Sequence, residues 1–253
     1  MTTLINACRA EYLKLRTTAS LWWTSVFFLL AALAAPLLMG IVTRNLDEGL
    51  TGMVTPASVL GGLVGVAPVL VIVQATMTVT TEYRYGLQAT TLLATPRRLA
   101  VAAAKLLVYA AHAVALTLVA MTLAYLIAGA LLPGSSPVEF FGDPETQWMY
   151  WTLPLGIALL VALAQGVAML VRNTAGTVVA LLAWVWVVES AISFAPRIGA
   201  AVQEYLPSQH FYAFVTQEAV SGWGGPLASG AYFALWTVAI WGLGFLAFSR
   251  RDA

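Results

Sequence analysis

The chain has 253 residues, 60% of them hydrophobic and only 9% charged, with 12 basic residues against 11 acidic ones and a net charge of +1. A soluble domain carries about 25% charged residues, so a water-soluble fold is excluded. The ionisable residues are sorted into intervals between long apolar runs, the pattern of an all-helical polytopic membrane protein. The single cysteine, Cys8, excludes an internal disulfide, and nothing in the sequence marks a nucleic-acid binder.

Residues 3–18 carry Arg9, Glu11, Lys14 and Arg16. Leu4, Cys8, Tyr12 and Leu15 recur at steps of three and four, which predicts a helix with an apolar stripe, Glu11 at its edge, and Arg9, Lys14 and Arg16 pointing away. Such a segment, over residues 1–19, reads as an interfacial helix with its cations at the lipid headgroups, or as a basic flank that fixes orientation. Residues 20–42 are the first span. Ala32-Leu33-Ala34 imitates a signal-peptidase site, but the apolar run continues to Val42, beyond a typical signal-peptide core.

Residues 43–56, with Arg44, Asp47 and Glu48, read as an external loop, and residues 57–79 as the second span. Gly61, Gly62 and Gly65 in that span allow close helix approach, and Pro68 removes a backbone hydrogen bond and kinks the helix. Gln74 is a polar residue within it and a candidate for a substrate pathway.

The interval from Thr80 to Lys105 concentrates cations between two apolar runs, which places it in the cytoplasm by the positive-inside rule. Residues 82–93 lack proline, and the pairs Glu82/Gly86 and Arg84/Gln88 fall at helical spacing, predicting a short helix along the membrane surface. The wording of the loop, with Glu82, Tyr83, Arg84 and Gly86, then Thr90 and Thr91, then Pro96, Arg97 and Arg98 before Lys105, Leu106 and Leu107, resembles type-2 ABC exporter permeases, particularly actinobacterial members. The wording from Glu11 to Thr18, including Lys14 and Arg16, is similar to the N-terminal connecting helix of the same family. The resemblance implies that residues 81–100 form a coupling loop whose Glu82, Tyr83, Arg84, Tyr85 and Gly86, together with Glu11 and Lys14, meet a separate ATPase subunit. Arg97 and Arg98 are expected to anchor lipid phosphates.

The third span, residues 101–132, is about 45 Å long at 1.5 Å per residue, longer than the roughly 30 Å hydrocarbon core, so it tilts or projects. His112 within it is either a proton-relay or substrate contact or a histidine bonded to a neighbouring helix. Residues 133–151, acidic and aromatic with Glu139, Asp143, Glu145, Trp148 and Trp151, read as an external loop. The fourth span is 152–171, and Arg172-Asn173-Thr174 makes a tight hairpin into the fifth, 175–194. Glu189, the acidic residue inside a span, lies about 21 Å from the cytoplasmic end and is a candidate for substrate contact or gating, or a carboxylate paired locally. Residues 196–226 read as external or re-entrant half-helices, as the same resemblance implies, and 227–248 as the sixth span.

With this layout ten cations lie inside (Arg9, Lys14, Arg16, Arg84, Arg97, Arg98, Lys105, Arg172, Arg250 and Arg251) and two outside (Arg44 and Arg197). That bias supports one domain of six spans with both termini cytoplasmic in a bacterial plasma membrane. Lys14 and Lys105 are each followed by leucine and neither follows a glycine, so no P-loop is present. This chain is therefore expected to bind no cofactor itself and to be no enzyme. ATP and magnesium are expected on two copies of a partner ATPase, as the resemblance implies.

Six spans are half of the usual membrane unit and no internal repeat is evident, which implies a homodimer. The expected cargo is hydrophobic or amphipathic, such as an antibiotic, peptide or lipid. A secondary transporter or channel is the alternative, with Glu189 and His112 as its coupling candidates. An intramembrane protease lacks its constellation, because Ser190 and Ser193 are separated from His112 by half the membrane and no His-Glu-x-x-His helix exists.

Overall fold

A computed structural model of the protein describes residues 2–45, 54–132, 136–194, 199–220 and 222–250. The expected external loop at 43–56 falls largely outside the described residues, as does Arg197. The architecture is helical, with α1 Thr2–Thr17, α2 Ala19–Asn45, α3 Pro56–Val59, α4 Gly61–Gly65, α5 Ala67–Arg84, α6 Gln88–Ala94 and α7 Arg98–Leu131. It continues with α8 Pro137–Gly142, α9 Pro144–Val171, α10 Thr174–Ala183, a π-helical turn Trp184–Val188, α11 Glu189–Ser193, α12 Gly199–Gln203, α13 Pro207–Thr216 and α14 Pro226–Arg250.

Among the described residues five stretches are long and apolar enough to cross a membrane: Ala19–Thr43, Arg98–Leu131, Pro144–Val171, Thr174–Ser193 and Pro226–Arg250. The second crossing expected at 57–79 is not one helix. Thr55 caps α3 in a reciprocal capping box with Ser58, the chain breaks again at Leu60, and a third break at Val66 opens α5 with Pro68 in its first turn. Pro68 therefore starts a helix instead of kinking one. Of the glycines there, Gly62 makes the close approach: a Cβ on it would collide with the Ala31 carbonyl oxygen of α2. Gly61 and Gly65 face open space.

α9 is the hub of the fold, packing against α5, α7, α13 and α14. Its middle is buried nearly all round, from Leu153 through Ile157, Val161 and Ala164 to Ala168, as expected of a helix surrounded by other helices. Where α9 meets α14 the backbones touch. A Cβ on Gly166 would lie 2.8 Å from the Trp241 Cα, and one on Gly244 would collide with the Gly166 carbonyl oxygen. This is the small-residue packing of membrane helices.

Of the aromatic interval expected as a loop at 133–151, residues 137–142 and 144–151 are instead helical. Ser136 and Glu139 form a capping box for α8, with Pro137 in the first turn, and Asp143 caps α9 by accepting from the Glu145 N–H. Tyr125 stacks on Phe140 at 5.7 Å and meets Tyr150 at 6.1 Å, so the aromatics form an internal cluster at that end of the bundle. Glu145 accepts from the Ala57 N–H at 3.1 Å and so satisfies an orphan donor at the start of α3.

Candidate functional sites

Two sites stand out, a buried ion cluster at one end of the bundle and an apolar cavity around Glu189.

The ion cluster unites both lysines of the chain with two glutamates. Lys105 Nζ, on α7, donates to Glu11 Oε2 of α1 at 2.9 Å and to Glu82 Oε1 of α5 at 2.7 Å. Lys14 Nζ, also on α1, donates to Glu11 Oε1 at 2.8 Å and to Glu82 Oε1 at 2.6 Å. Lys105 is 6% exposed, Glu11 6% and Glu82 7%, whereas the Lys14 side chain is 46% exposed. Two cations against two anions leave the cluster neutral, the condition under which charges tolerate burial.

A second layer of contacts fixes the cluster. Lys105 Nζ also reaches the Thr78 carbonyl at 3.3 Å. Gln165 of α9 donates to Thr78 Oγ1 and to the Lys105 carbonyl. Thr91 of α6 donates to Glu82 at 3.5 Å. Five helices are thereby joined through four charges.

Burial raises the Glu82 carboxyl, but attraction from and hydrogen bonds with Lys105 and Lys14 outweigh it and hold the group below its ordinary value of 4.5. Burial likewise lowers Lys14, but hydrogen bonds to Glu11 and Glu82 outweigh that and leave it above its ordinary 10.5.

The expected surface helix over 82–93 is corrected here. Glu82, Tyr83 and Arg84 are the last turn of α5. The chain turns at Tyr85, Gly86 adopts φ +66°, and α6 starts afresh at Gln88. That left-handed φ suits glycine, which has no Cβ to clash, so Gly86, expected inside a helix, lies in the turn that follows one. Arg84, Tyr85, Gly86 and Leu87 form an exposed turn, with Arg84 over the Tyr85 ring at 5.7 Å and Leu93 of α6 82% exposed. Of the residues expected at an ATPase contact, Arg84, Tyr85 and Gly86 lie on this turn. Glu11 and Glu82 are buried beneath it, Lys14 spans cluster and surface, and Tyr83 is half-buried under the Arg172 guanidinium at 4.9 Å.

In α1, Ala7 and Glu11 are buried while Leu4, Tyr12 and Leu13 are exposed. Glu11 meets Lys105 on the buried face, and Lys14, expected to point away from the apolar stripe, reaches the same cluster. Arg98, expected to anchor a lipid phosphate, instead donates to the Phe248 and Ser249 carbonyls at 3.0 Å each, capping the C-terminal end of α14. Arg97 remains exposed. Arg172 reaches the Ala247 carbonyl from the left-handed cap of α9, so Arg98, Arg172, Lys105 and Lys14 gather at one end of the bundle.

The second site is a cavity of about 320 Å³ between α5, α9, α10, the π turn, α13 and α14. Ser208 of α13 donates to Glu189 Oε2. Glu189 is 4% exposed, and its Oε1 makes no hydrogen bond of normal geometry, although the Trp184 side chain is close enough to influence the carboxyl. The π turn immediately before Glu189 adds a residue to the helical repeat, so Val187 faces outward while Glu189 faces inward.

The other two pathway candidates are elsewhere. His112 Nε2 meets Ser25 Oγ of α2 at 3.1 Å, and Thr24 donates to the buried Gln74 at 3.4 Å. Both tie α2 to its neighbours and neither lines the Glu189 cavity. Trp184 and Trp186 stand close to Glu189 in the sequence, but Phe211 and Tyr212 of α13 and Phe233 and Trp236 of α14 reach the cavity from farther along the chain, where the sequence gives no sign of the meeting.

Five long apolar stretches among the described residues, one of them buried at the centre, with cations gathered at one end, define a multi-pass helical membrane protein. The profile of the family described as ABC-2 family transporter protein matches residues 7–189, well over half of the chain. The chain belongs to that family and is an ABC-2 type permease, a membrane transport subunit of a family that works with ABC ATPases. No curated protein matches it.

Proposed function

We propose that this permease is driven by a separate ABC ATPase that docks on the exposed turn at residues 84–87 and the outer face of α6, and that it exports a hydrophobic or amphipathic compound as a homodimer with two ATPase copies. In this reading the segmented run α3–α5 is the second of six crossings and both termini are cytoplasmic. The observation that carries the proposal is that the exposed turn sits directly on the Glu11–Lys14–Glu82–Lys105 cluster. A push on the turn reaches α1 and α7 through charges held by bonds of 2.6 to 2.9 Å. Glu82 then serves as a transmitting residue beneath the surface, and Arg84, Tyr85 and Leu93 as the contact.

The proposal expects an ABC ATPase in a neighbouring reading frame, and the test is co-expression of that ATPase with this chain. The purified pair in nanodiscs should hydrolyse ATP faster than the ATPase alone. Arg84→Glu with Leu93→Asp should abolish the stimulation while the permease still purifies as a folded membrane protein. Undiminished stimulation in that double variant, or cargo movement by the permease with no hydrolysing companion, refutes the reading.

A further inference from the structure

We infer that the cavity around Glu189 binds a lipophilic organic cation, an apolar body carrying one positive charge; the inference deepens the permease reading by naming a class of cargo, and rests on it for the word cargo alone. Glu189 is only 4% exposed, has one carboxylate oxygen without a normal hydrogen bond, and faces a lining that, among the described residues, contains no lysine, arginine or histidine. A carboxylate in apolar surroundings without a partner cation is costly, and a cationic ligand supplies the missing partner.

The remaining lining points to the same chemistry. Trp184, Trp186, Phe211, Tyr212, Phe233 and Trp236 all border the cavity, and the faces of aromatic rings attract cations electrostatically. An anion would meet Glu189 and those ring faces with the wrong sign. A sugar would find few hydrogen-bonding groups beyond Glu189, Ser208 and Tyr212. The volume, about 320 Å³, falls in the range of small-molecule sites, roughly 300–1,000 Å³. The π turn that re-phases the helix to aim Glu189 inward is a feature found often at functional sites and is unneeded for a helix that only spans.

The inference is tested by equilibrium binding of radiolabelled tetraphenylphosphonium to the purified chain in nanodiscs, with empty nanodiscs subtracted and no ATPase present. Tetraphenylborate, of the same shape and opposite charge, is the comparison. Wild type should bind the cation about tenfold or more tightly than the anion, and Glu189→Gln should lose that preference. Trp236→Leu, which keeps the carboxylate, should weaken cation binding several-fold. Should Glu189→Gln fail to fold, the wild-type charge preference and Trp236→Leu carry the test. Equal binding of both ions by wild type, or full cation affinity in a folded Glu189→Gln chain, overturns the inference. Because no ATPase is present, failure here leaves the ATP-driven permease intact, and failure of ATPase coupling leaves this binding result standing.

Discussion

Lys105 and Glu82, 23 positions apart in the chain and on different helices, are held at 2.7 Å with side-chain exposures of 6% and 10%. The pair lies out of water beside Glu11 and Lys14, and the four charges together are neutral. Replacing Lys105 by methionine leaves a buried net negative charge, and loss of one buried partner costs about 3–5 kcal/mol. Lys105→Met should therefore lower the thermal unfolding temperature in detergent sharply. Lys105→Met combined with Glu82→Gln restores neutrality and should recover much of the loss. A double variant no more stable than the single one contradicts the arrangement.

The same cluster sets the response to pH. Glu82 sits below its ordinary 4.5, so its stabilisation is present above 4.5 and is lost as pH falls through its lower folded value. Lys14 sits above its ordinary 10.5, so its contribution is present below 10.5 and is lost as pH rises beyond it. Thermal stability contributed by the cluster should be flat between those limits. Glu82→Gln should flatten the acid limb of a stability profile measured by intrinsic fluorescence, and an unchanged acid limb contradicts the assignment.

Gly86 ends α5 at φ +66°. A β-branched residue strains that left-handed position by about 1–2 kcal/mol, while no neighbouring atom obstructs its side chain. Gly86→Val should leave the global unfolding temperature nearly unchanged but distort the exposed turn. Stimulation of the partner ATPase should fall several-fold with membrane yield unaltered.

Arg98 holds the last carbonyls of α14. Arg98→Ala removes charge-assisted bonds worth about 1.5–3 kcal/mol in favourable cases, and the loss should appear locally as faster amide exchange over the last turn of α14. Exchange protection equal to wild type would show that the cap is idle.

The crossings at 101–132, 175–194 and 227–248 were legible because continuous apolar length is a local property of the chain. The second crossing was misread as a single helix because its breaks depend on turn chemistry at Thr55, Leu60 and Val66 that hydropathy averages away. The family was legible in the loop after it, yet the loop's helix was drawn through Gly86, which ends one. Glu11 and Lys105 were visible as residues, but nothing local says that two charges 94 positions apart meet. Glu189 is legible because a carboxylate in a span is rare, and Trp184 and Trp186 stand just before it, whereas Phe211, Tyr212, Phe233 and Trp236 come from separate segments that nothing local links to it.

The glycine seam between Gly166 and Gly244 brings two backbones together with no intervening layer of side chains. Ridges that could slip one notch past each other are missing there, so α9 and α14 cannot ratchet and must travel as a single plank. Any alternation of access has to hinge along the plank's edges, and a cysteine staple across the seam would be a silent lock, leaving transport running.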